Sequence, residues 1–205
     1  MSIKSFLRHK YHQFCLRVYK VGRGCEEWER KEEFRKTCCK GDGDIYLPLP
    51  NYISGMKCIS IGRNFSSLPG LRLECIENYF EGQHFSPELT IGDNVSFNYF
   101  CHVGCINRII IGNNVLIGSY VLITDHSHGS LDMADIPMVK RQLISKGPVV
   151  IEDNVWIGEH ACILPGVTVG KGSIIGANAV VTKDVPPYSV VVGVPGRIVK
   201  SLFNQ

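Results

Sequence analysis

Residues 151–186 read IEDNVW IGEHAC ILPGVT VGKGSI IGANAV VTKDVP, six consecutive hexads that each begin with Ile or Val. The fifth place of every hexad holds Val, Ala or Ser. The same period recurs upstream at Ile91, Phe97 and Val103 and, after a slip of two residues, at Ile111, Ile117 and Ile123. This period predicts one short strand and one turn per hexad, with the first-place side chain facing a shared core.

Three such strands close one triangular coil, and stacked coils pair each backbone with the coils above and below. The fold class is therefore predicted as all-β, a parallel β-helix of hexapeptide repeats over residues 58–205. The residues themselves do not set the handedness of the coil.

The repeat breaks after Ile123, where the chain reads Thr124-Asp125-His126-Ser127-His128-Gly129 and reaches the next hexad only at Ile151. We interpret this as the one break in the repeat, and it predicts a protruding loop. Irregular loops on a rigid scaffold are frequent sites of function. His126 falls at the fourth place of its hexad, so its side chain is expected to leave the coil.

Residues 1–57 form a different region. The net charge of the chain is +3, yet the first 23 residues hold six Lys or Arg and no acidic residue. Steps of three and four predict a basic amphipathic helix with an apolar face: Ile3, Phe6, Leu7, Tyr11, Phe14 and Val18. A second helical stretch is predicted over 25–36, stopped by residues 41–43, and the prolines at 48 and 50 predict a linker over 41–57. The expected domains are thus a helical extension, 1–57, and the coil, 58–205.

The basic helix has two interpretations. It caps the open first coil, or it docks on an anionic membrane surface through its cations and aromatic residues. Binding of nucleic acid is not expected, because no basic groove or recognised fold accompanies the helix. Nine cysteines without a C-x-x-C pair, no apolar run of about 18 residues and no continuous apolar leader predict a cytoplasmic protein with reduced thiols.

The repeat resembles the hexapeptide-repeat acyltransferases, a superfamily of left-handed parallel β-helices that includes maltose, galactoside and O-antigen or capsule O-acetyltransferases. The resemblance covers about residues 59–200 and lies in the Trp156-Ile157-Gly158 unit, in the stretch 176–186 and in the terminal Gly193-Val-Pro-Gly-Arg197 unit. It implies an acetyl-CoA-dependent O-acetyltransferase that acts on a sugar or a lipid-linked glycan in surface polysaccharide biosynthesis. It also implies a homotrimer.

Catalytic roles follow from the same resemblance. His126 matches the general base that takes the proton of the attacking hydroxyl, with Asp125 or a backbone carbonyl on its other ring nitrogen. The backbone N–H of Glu159 matches the oxyanion donor. His128, two residues from His126, is the alternative base. No metal is required for attack on a thioester, and none is expected.

Binding roles are carried over in the same way. Asn98 matches an acceptor-site asparagine, whereas two acidic residues of the galactoside-type enzymes correspond here to Cys105 and Ile106, which argues against a simple galactoside acceptor. His128 and Arg141 are further candidates for acceptor binding, Arg141 for an anionic group. The coenzyme A site is predicted from the matching stretch, where small residues admit the pantetheine arm and cations meet phosphates: Trp156, Gly158, Ala177, Thr182, Lys183, Arg197 and Lys200.

Three other functions remain open at this stage. The acceptor could be an amine, as in the amino-sugar N-acetyltransferases. A metal-dependent carbonic anhydrase of the same fold needs three histidines at other spacings, and His102 between Cys101 and Cys105 fits no strong metal-ligand pattern. A non-catalytic scaffold is disfavoured by the intact Trp-Ile-Gly and Gly-x-Pro-x-Arg units.

Overall fold

The computed structural model describes residues 3–39 and 43–202. The chain divides into two units, with the boundary between Lys36 and Thr37. The first unit is helical, and the helix α1 runs without interruption over Ile3–Cys38. The second unit consists almost entirely of short strands and turns.

Helix α1 differs from the two separate stretches that the sequence predicted. Gly22 and Gly24 lie inside it and do not end it, because a glycine weakens a helix by only about 1 kcal/mol. The predicted stop at Gly41 and Asp42, and the side chains of Ile3, Phe6 and Leu7 on the predicted apolar face, lie outside the described residues. Among the described residues, none of the helices contains an apolar stretch that could span a bilayer.

Most strands of the second unit form three large sheets, which confirms the predicted coil of parallel strands, and the remaining described strands form two antiparallel pairs. The largest sheet has eight strands, parallel except for its last pair: Ile45–Tyr46, Phe65–Ser67, Ser96–Phe97, Leu116–Ile117, Trp156–Ile157, Ile174–Ile175, Ser189–Val192 and Arg197–Ser201. The second has six parallel strands: Tyr52–Ser54, Arg72–Cys75, His102–Cys105, Leu122–Thr124, Cys162–Ile163 and Val180–Val181. The third has five parallel strands: Ile59–Ile61, Glu88–Ile91, Arg108–Ile111, Val149–Ile151 and Thr168–Val169.

The core is the stack of first-place and fifth-place side chains. All six first-place residues of 151–186 are between 0% and 2% exposed, and the fifth-place residues are between 0% and 4% exposed. Each aliphatic side chain therefore faces its counterparts in the coils above and below, as the hexad period predicts. Turn corners place Asn64, Asn94, Asn114 and Asn154 at positive φ, and their side-chain amides form a hydrogen-bonded ladder along one corner.

The predicted start of the coil needs correction. Residues 45–46 and 52–54, placed in a linker by their prolines, are strands that pair in parallel with 65–66 and 72–74. Proline is compatible with the turns between them, so the coil begins earlier than residue 58.

The repeat also breaks twice rather than once. A first excursion leaves the coil after Ile76 and contains an antiparallel hairpin, Asn78–Tyr79 with Gln83–His84, around a 3-10 turn at Phe80–Gly82. The second follows Thr124 and contains the antiparallel pair His126–His128 with Leu143–Ser145. It also contains two 3-10 turns, Leu131–Met133 and Met138–Lys140.

Candidate active site

Asp125 is the buried anchor of the second excursion. It follows the strand Leu122–Thr124 and is 0% exposed. Its carboxylate accepts hydrogen bonds from the backbone N–H groups of Ile106 at 2.9 Å and Asn107 at 2.8 Å, and from the Cys105 thiol at 3.4 Å. Burial by itself would raise the pKa of Asp125, but the hydrogen bonds from His126 and from these groups outweigh burial and hold the pKa below its ordinary value. The carboxylate is therefore ionised and fixed in orientation.

The imidazole of His126 is oriented by this carboxylate. Its Nδ1 lies 3.1 Å from Asp125 Oδ1 and 3.2 Å from Thr124 Oγ1. Because an ionised carboxylate can only accept, Nδ1 carries the proton and Nε2 keeps its lone pair. No hydrogen bond in the described part of the chain uses Nε2 of His126, so this nitrogen is available to a substrate.

Gly104 provides the space that His126 occupies. It lies in register between Glu74 and Thr124 on the six-stranded sheet. A Cβ atom at Gly104 would lie 3.1 Å from His126 Cε1 and 3.5 Å from His102 Nε2. Two imidazole rings thus converge over a backbone position that has no side chain.

A cavity of about 520 Å³ opens beside these two rings. Its wall includes His128 and Tyr79, one from each excursion, and the Tyr79 hydroxyl lies 3.2 Å from His128 Nδ1. The excursions are tied together at Leu143, whose N–H donates to Gln83 Oε1 at 2.9 Å and whose carbonyl accepts from Gln83 Nε2 at 2.7 Å. The acceptor-sized cavity is therefore built by the two segments that interrupt the repeat.

The floor of the cavity holds a group of polar residues that sequence reasoning missed. Glu74 Oε2 accepts from Arg72 Nε at 2.7 Å and from His102 Nε2 at 2.9 Å. Burial lowers the pKa of His102, and the hydrogen bond to Glu74 opposes this only in part. The sequence offers one signal, His102 itself, but its place between Cys101 and Cys105 suggests only a metal ligand.

A second cavity, of about 460 Å³, holds several predicted residues together: Asn98, Trp156, Gly158, Glu159 and Ala177. Trp156 is 51% exposed on the outer face of the eight-stranded sheet. The backbone N–H of Glu159 makes no hydrogen bond within the described residues. A Cβ at Gly118 would lie 2.7 Å from that nitrogen, so the glycine leaves the Glu159 N–H accessible.

This second cavity is not the one that contains His126. Glu159 lies in the turn between Trp156–Ile157 of the eight-stranded sheet and Cys162–Ile163 of the six-stranded sheet. His126 lies where the chain leaves the six-stranded sheet. In a single chain, the predicted base therefore follows the C-terminal end of one strand of the six-stranded sheet, and the predicted oxyanion donor precedes the N-terminal end of the neighbouring strand. Asn98 lies in the cavity of the donor, not in the cavity of the base.

The predicted phosphate-binding cations lie near the end of the coil. Lys200 shares a rung of the eight-stranded sheet with Trp156, through Ile174 and Val190. Lys183 and Arg197 line a separate cavity of about 210 Å³. Thr182 is exposed directly after the strand Val180–Val181.

Arg141 has a different environment from the one expected of an acceptor-binding residue. It is only 7% exposed, and its guanidinium donates to the carbonyls of Ile136 at 2.8 Å, Ser130 at 3.3 Å and Ala134 at 3.5 Å. These bonds tie the second excursion to itself. The sequence could not distinguish this arrangement from a solvated charge, because the loop conformation decides it.

In the described part of the chain, no group of three or more His, Cys, Asp or Glu is placed to hold a metal ion. The imidazoles in the cavity are instead each paired with a different protein group. His126 faces Asp125, His102 faces Glu74 and His128 faces Tyr79.

The repeat is also found in known proteins. Residues 148–183 match the family described as bacterial transferase hexapeptide (six repeats). A relative from Escherichia coli (strain K12), WbbJ, named as a lipopolysaccharide biosynthesis O-acetyl transferase, is 40% identical over 165 residues, which are 78% of this chain and 80% of WbbJ. The galactoside O-acetyltransferase of the same organism is 36% identical over 126 residues, 59% of this chain and 58% of that protein.

A solved structure shows the same fold. The hexapeptide-repeat containing acetyltransferase VCA0836 from Vibrio cholerae matches with a TM-score of 0.58 and 30% identity, over 87% of this chain and 82% of that chain. The hexapeptide repeats, together with relatives that are named acetyltransferases, define an acyltransferase. This chain belongs to the hexapeptide-repeat acetyltransferase family.

Proposed function

We propose that this protein transfers an acetyl group from acetyl-CoA to a hydroxyl of a sugar or lipid-linked glycan during surface polysaccharide biosynthesis. The observation that carries the proposal is the Asp125–His126 pair, whose free Nε2 faces a polar cavity large enough for a sugar ring. The 40% identity to WbbJ supports the choice of a polysaccharide acceptor.

The reaction proceeds by direct attack. Nε2 of His126 takes the proton of the acceptor hydroxyl as the oxygen attacks the thioester carbonyl, and Asp125 stabilises the imidazolium that forms. The Glu159 N–H donates to the oxyanion of the tetrahedral intermediate. The carbon–sulfur bond then breaks, the proton passes from His126 to the leaving thiolate, and the products are the sugar ester and coenzyme A.

The site is proposed to be completed by a second copy of the chain. His126 and the cavity of Glu159 lie at opposite strand ends of the six-stranded sheet, so one chain cannot supply both to one substrate. A homotrimer of left-handed coils brings the donor cavity of one chain to the histidine of its neighbour. In this arrangement Trp156 and Ala177 flank the pantetheine arm, and Lys183, Arg197 and Lys200 meet the phosphates.

The basic helix is proposed to hold the enzyme at the cytoplasmic face of an anionic membrane. Within α1, Tyr11, Phe14 and Val18 are 70%, 64% and 55% exposed, beside Arg17 and Lys20. Exposed aromatic residues among cations favour an interfacial position. A chain lacking residues 1–23 should remain soluble and active but no longer sediment with phosphatidylserine vesicles, whereas insolubility would favour the alternative role as a cap.

A thiol-release assay tests the proposed activity. The enzyme and acetyl-CoA are incubated with a panel of glycosides, nucleotide sugars and lipid-linked oligosaccharides, and products are identified by mass and by lability to base, which cleaves esters and spares amides. Loss of a general base costs about 10²-fold or more, so His126→Ala should lose at least that factor. His12→Ala, which removes an exposed histidine of α1 outside the cavity lining, is the control. A base-stable amide product, or His126→Ala retaining more than about a tenth of the rate, would contradict the proposal.

A further inference from the structure

The two histidines over Gly104 are held in opposite tautomeric arrangements. In His126 the carboxylate of Asp125 binds Nδ1, which leaves Nε2 at the outer end of the ring. In His102 the carboxylate of Glu74 binds Nε2 instead, at 2.9 Å. The two carboxylate–histidine pairs are therefore not equivalent, although both rings line the same cavity.

The contacts of Glu74 fix the protonation of His102. Glu74 is only 13% exposed and also accepts from Arg72 Nε at 2.7 Å, so it is an ionised acceptor that requires the Nε2 proton of His102. Burial lowers the pKa of His102, which keeps its ring neutral near pH 7. A neutral ring with its proton on Nε2 has a lone pair on Nδ1. No hydrogen bond in the described part of the chain reaches this atom, and the side chain is 34% exposed.

The ring that carries this lone pair lines the same cavity as His126. His126 Cε1 and His102 Nε2 both lie within 3.5 Å of a single point above Gly104. Because both rings also line one cavity, a sugar bound there with one hydroxyl against Nε2 of His126 can bring a neighbouring hydroxyl to the ring of His102.

We infer that His102 determines acceptor specificity: its Nδ1 accepts a hydrogen bond from a second hydroxyl, on the carbon next to the one that is acetylated, so that the enzyme selects a vicinal diol. This inference rests on the proposed function, since it requires a sugar hydroxyl as acceptor. Glu74 and Arg72 are positioning residues that hold the His102 ring in the required tautomer.

The test compares wild type and a His102 variant, each on an acceptor with and without the second hydroxyl. The best acceptor is first chosen from a panel of 4-nitrophenyl glycosides and compared with the monodeoxy analogue that lacks the hydroxyl next to the acetylated one. Wild type should prefer the diol by about tenfold or more in kcat/KM, the usual scale for one hydrogen bond to a substrate hydroxyl. His102→Phe should reduce this preference to about twofold or less while leaving the rate on the deoxy analogue nearly unchanged.

Two further variants sharpen the test. His102→Asn places an amide oxygen near the position of Nδ1 and should keep part of the preference, which a merely structural role would not predict. His12→Phe, with the same ring change on an exposed position of α1 outside the cavity lining, should alter neither rate. Equal losses of His102→Phe on both acceptors, or no preference for the diol in wild type, would overturn the inference while leaving the proposed activity intact. If wild type acetylates no glycoside hydroxyl in this panel and forms no ester on any acceptor of the thiol-release assay, the proposed function and the inference fail together.

Discussion

The imidazole of His126 lies against Gly104, where an added Cβ would come within 3.1 Å of its Cε1. Asp125 holds Nδ1 of the same ring at 3.1 Å, so the ring cannot easily move away. We expect Gly104→Ala to fold normally, because replacing a strand glycine reduces the entropy of the unfolded chain, but to lose about tenfold in kcat as the base is displaced. Steady-state kinetics together with the midpoint of urea unfolding test this. A wild-type kcat would show that the ring is not confined over Gly104.

Asp125→Asn should impair both catalysis and folding. An amide in place of the carboxylate no longer fixes the proton on Nδ1 of His126, and loss of the correct tautomer in a comparable dyad costs about 10⁴-fold. The N–H groups of Ile106 and Asn107 also lose a charged, buried acceptor, which should lower the free energy of unfolding by about 1–3 kcal/mol. Thr124→Val, which removes only the hydroxyl near Nδ1, is the matched comparison and should have the smaller effect on kcat. A larger loss of kcat in Thr124→Val than in Asp125→Asn would show that Thr124 orients the base.

His102 should make the stability of the protein depend on pH. Burial holds its pKa below that of the unfolded chain, so the unfolded state binds a proton first and stability falls as the pH drops from about 6.5 through the folded pKa. The charges that face His102 are those of Glu74, Arg72 and, when protonated, His126. His102→Asn should show a smaller difference in urea midpoint between pH 7.5 and 5.5 than wild type. An unchanged difference would mean that other groups account for the pH dependence.

A shared site predicts complementation between inactive chains. His126→Ala lacks the base, and Ala177→Trp should fill the donor cavity from an exposed position. Mixed trimers obtained by co-expression should recover about a quarter of wild-type activity, since about one interface in four pairs two intact halves. Activity no greater than that of the separate variants would place the base and the donor cavity of one chain in the same site.

Arg141→Lys should loosen the second excursion. The guanidinium reaches three loop carbonyls, and a lysine ammonium cannot span them in the same geometry. We expect faster proteolysis within 130–140 and a lower kcat/KM for the acceptor. Lys140→Ala, at the adjacent exposed position, is the control and should match wild type. Equal rates of proteolysis in Arg141→Lys and Lys140→Ala would show that Arg141 does not anchor this segment.

The candidate base was predictable because it needs only local information. The hexad period places His126 outside the core, and the interruption after Ile123 marks the place where a site can form. The role of Arg141 was not predictable in this way, since the same residue in another loop conformation would be a solvated charge. His102 was visible in the sequence, but its partner Glu74 belongs to another coil.

The sequence by itself determined the coil and the inward-facing positions, because a period of six fixes which side chains face the core, and the resemblance to the family added His126 as the candidate base. Only the tertiary structure decided which residues of successive coils lie next to each other. Successive coils are 30, 20 and 40 residues apart at Ser66–Ser96, Asn94–Asn114 and Asn114–Asn154. The unequal spacing comes from the two excursions, whose lengths do not follow the period. Strand register, set by backbone pairing between coils, is therefore what brings Glu74, His102 and His126 to one cavity.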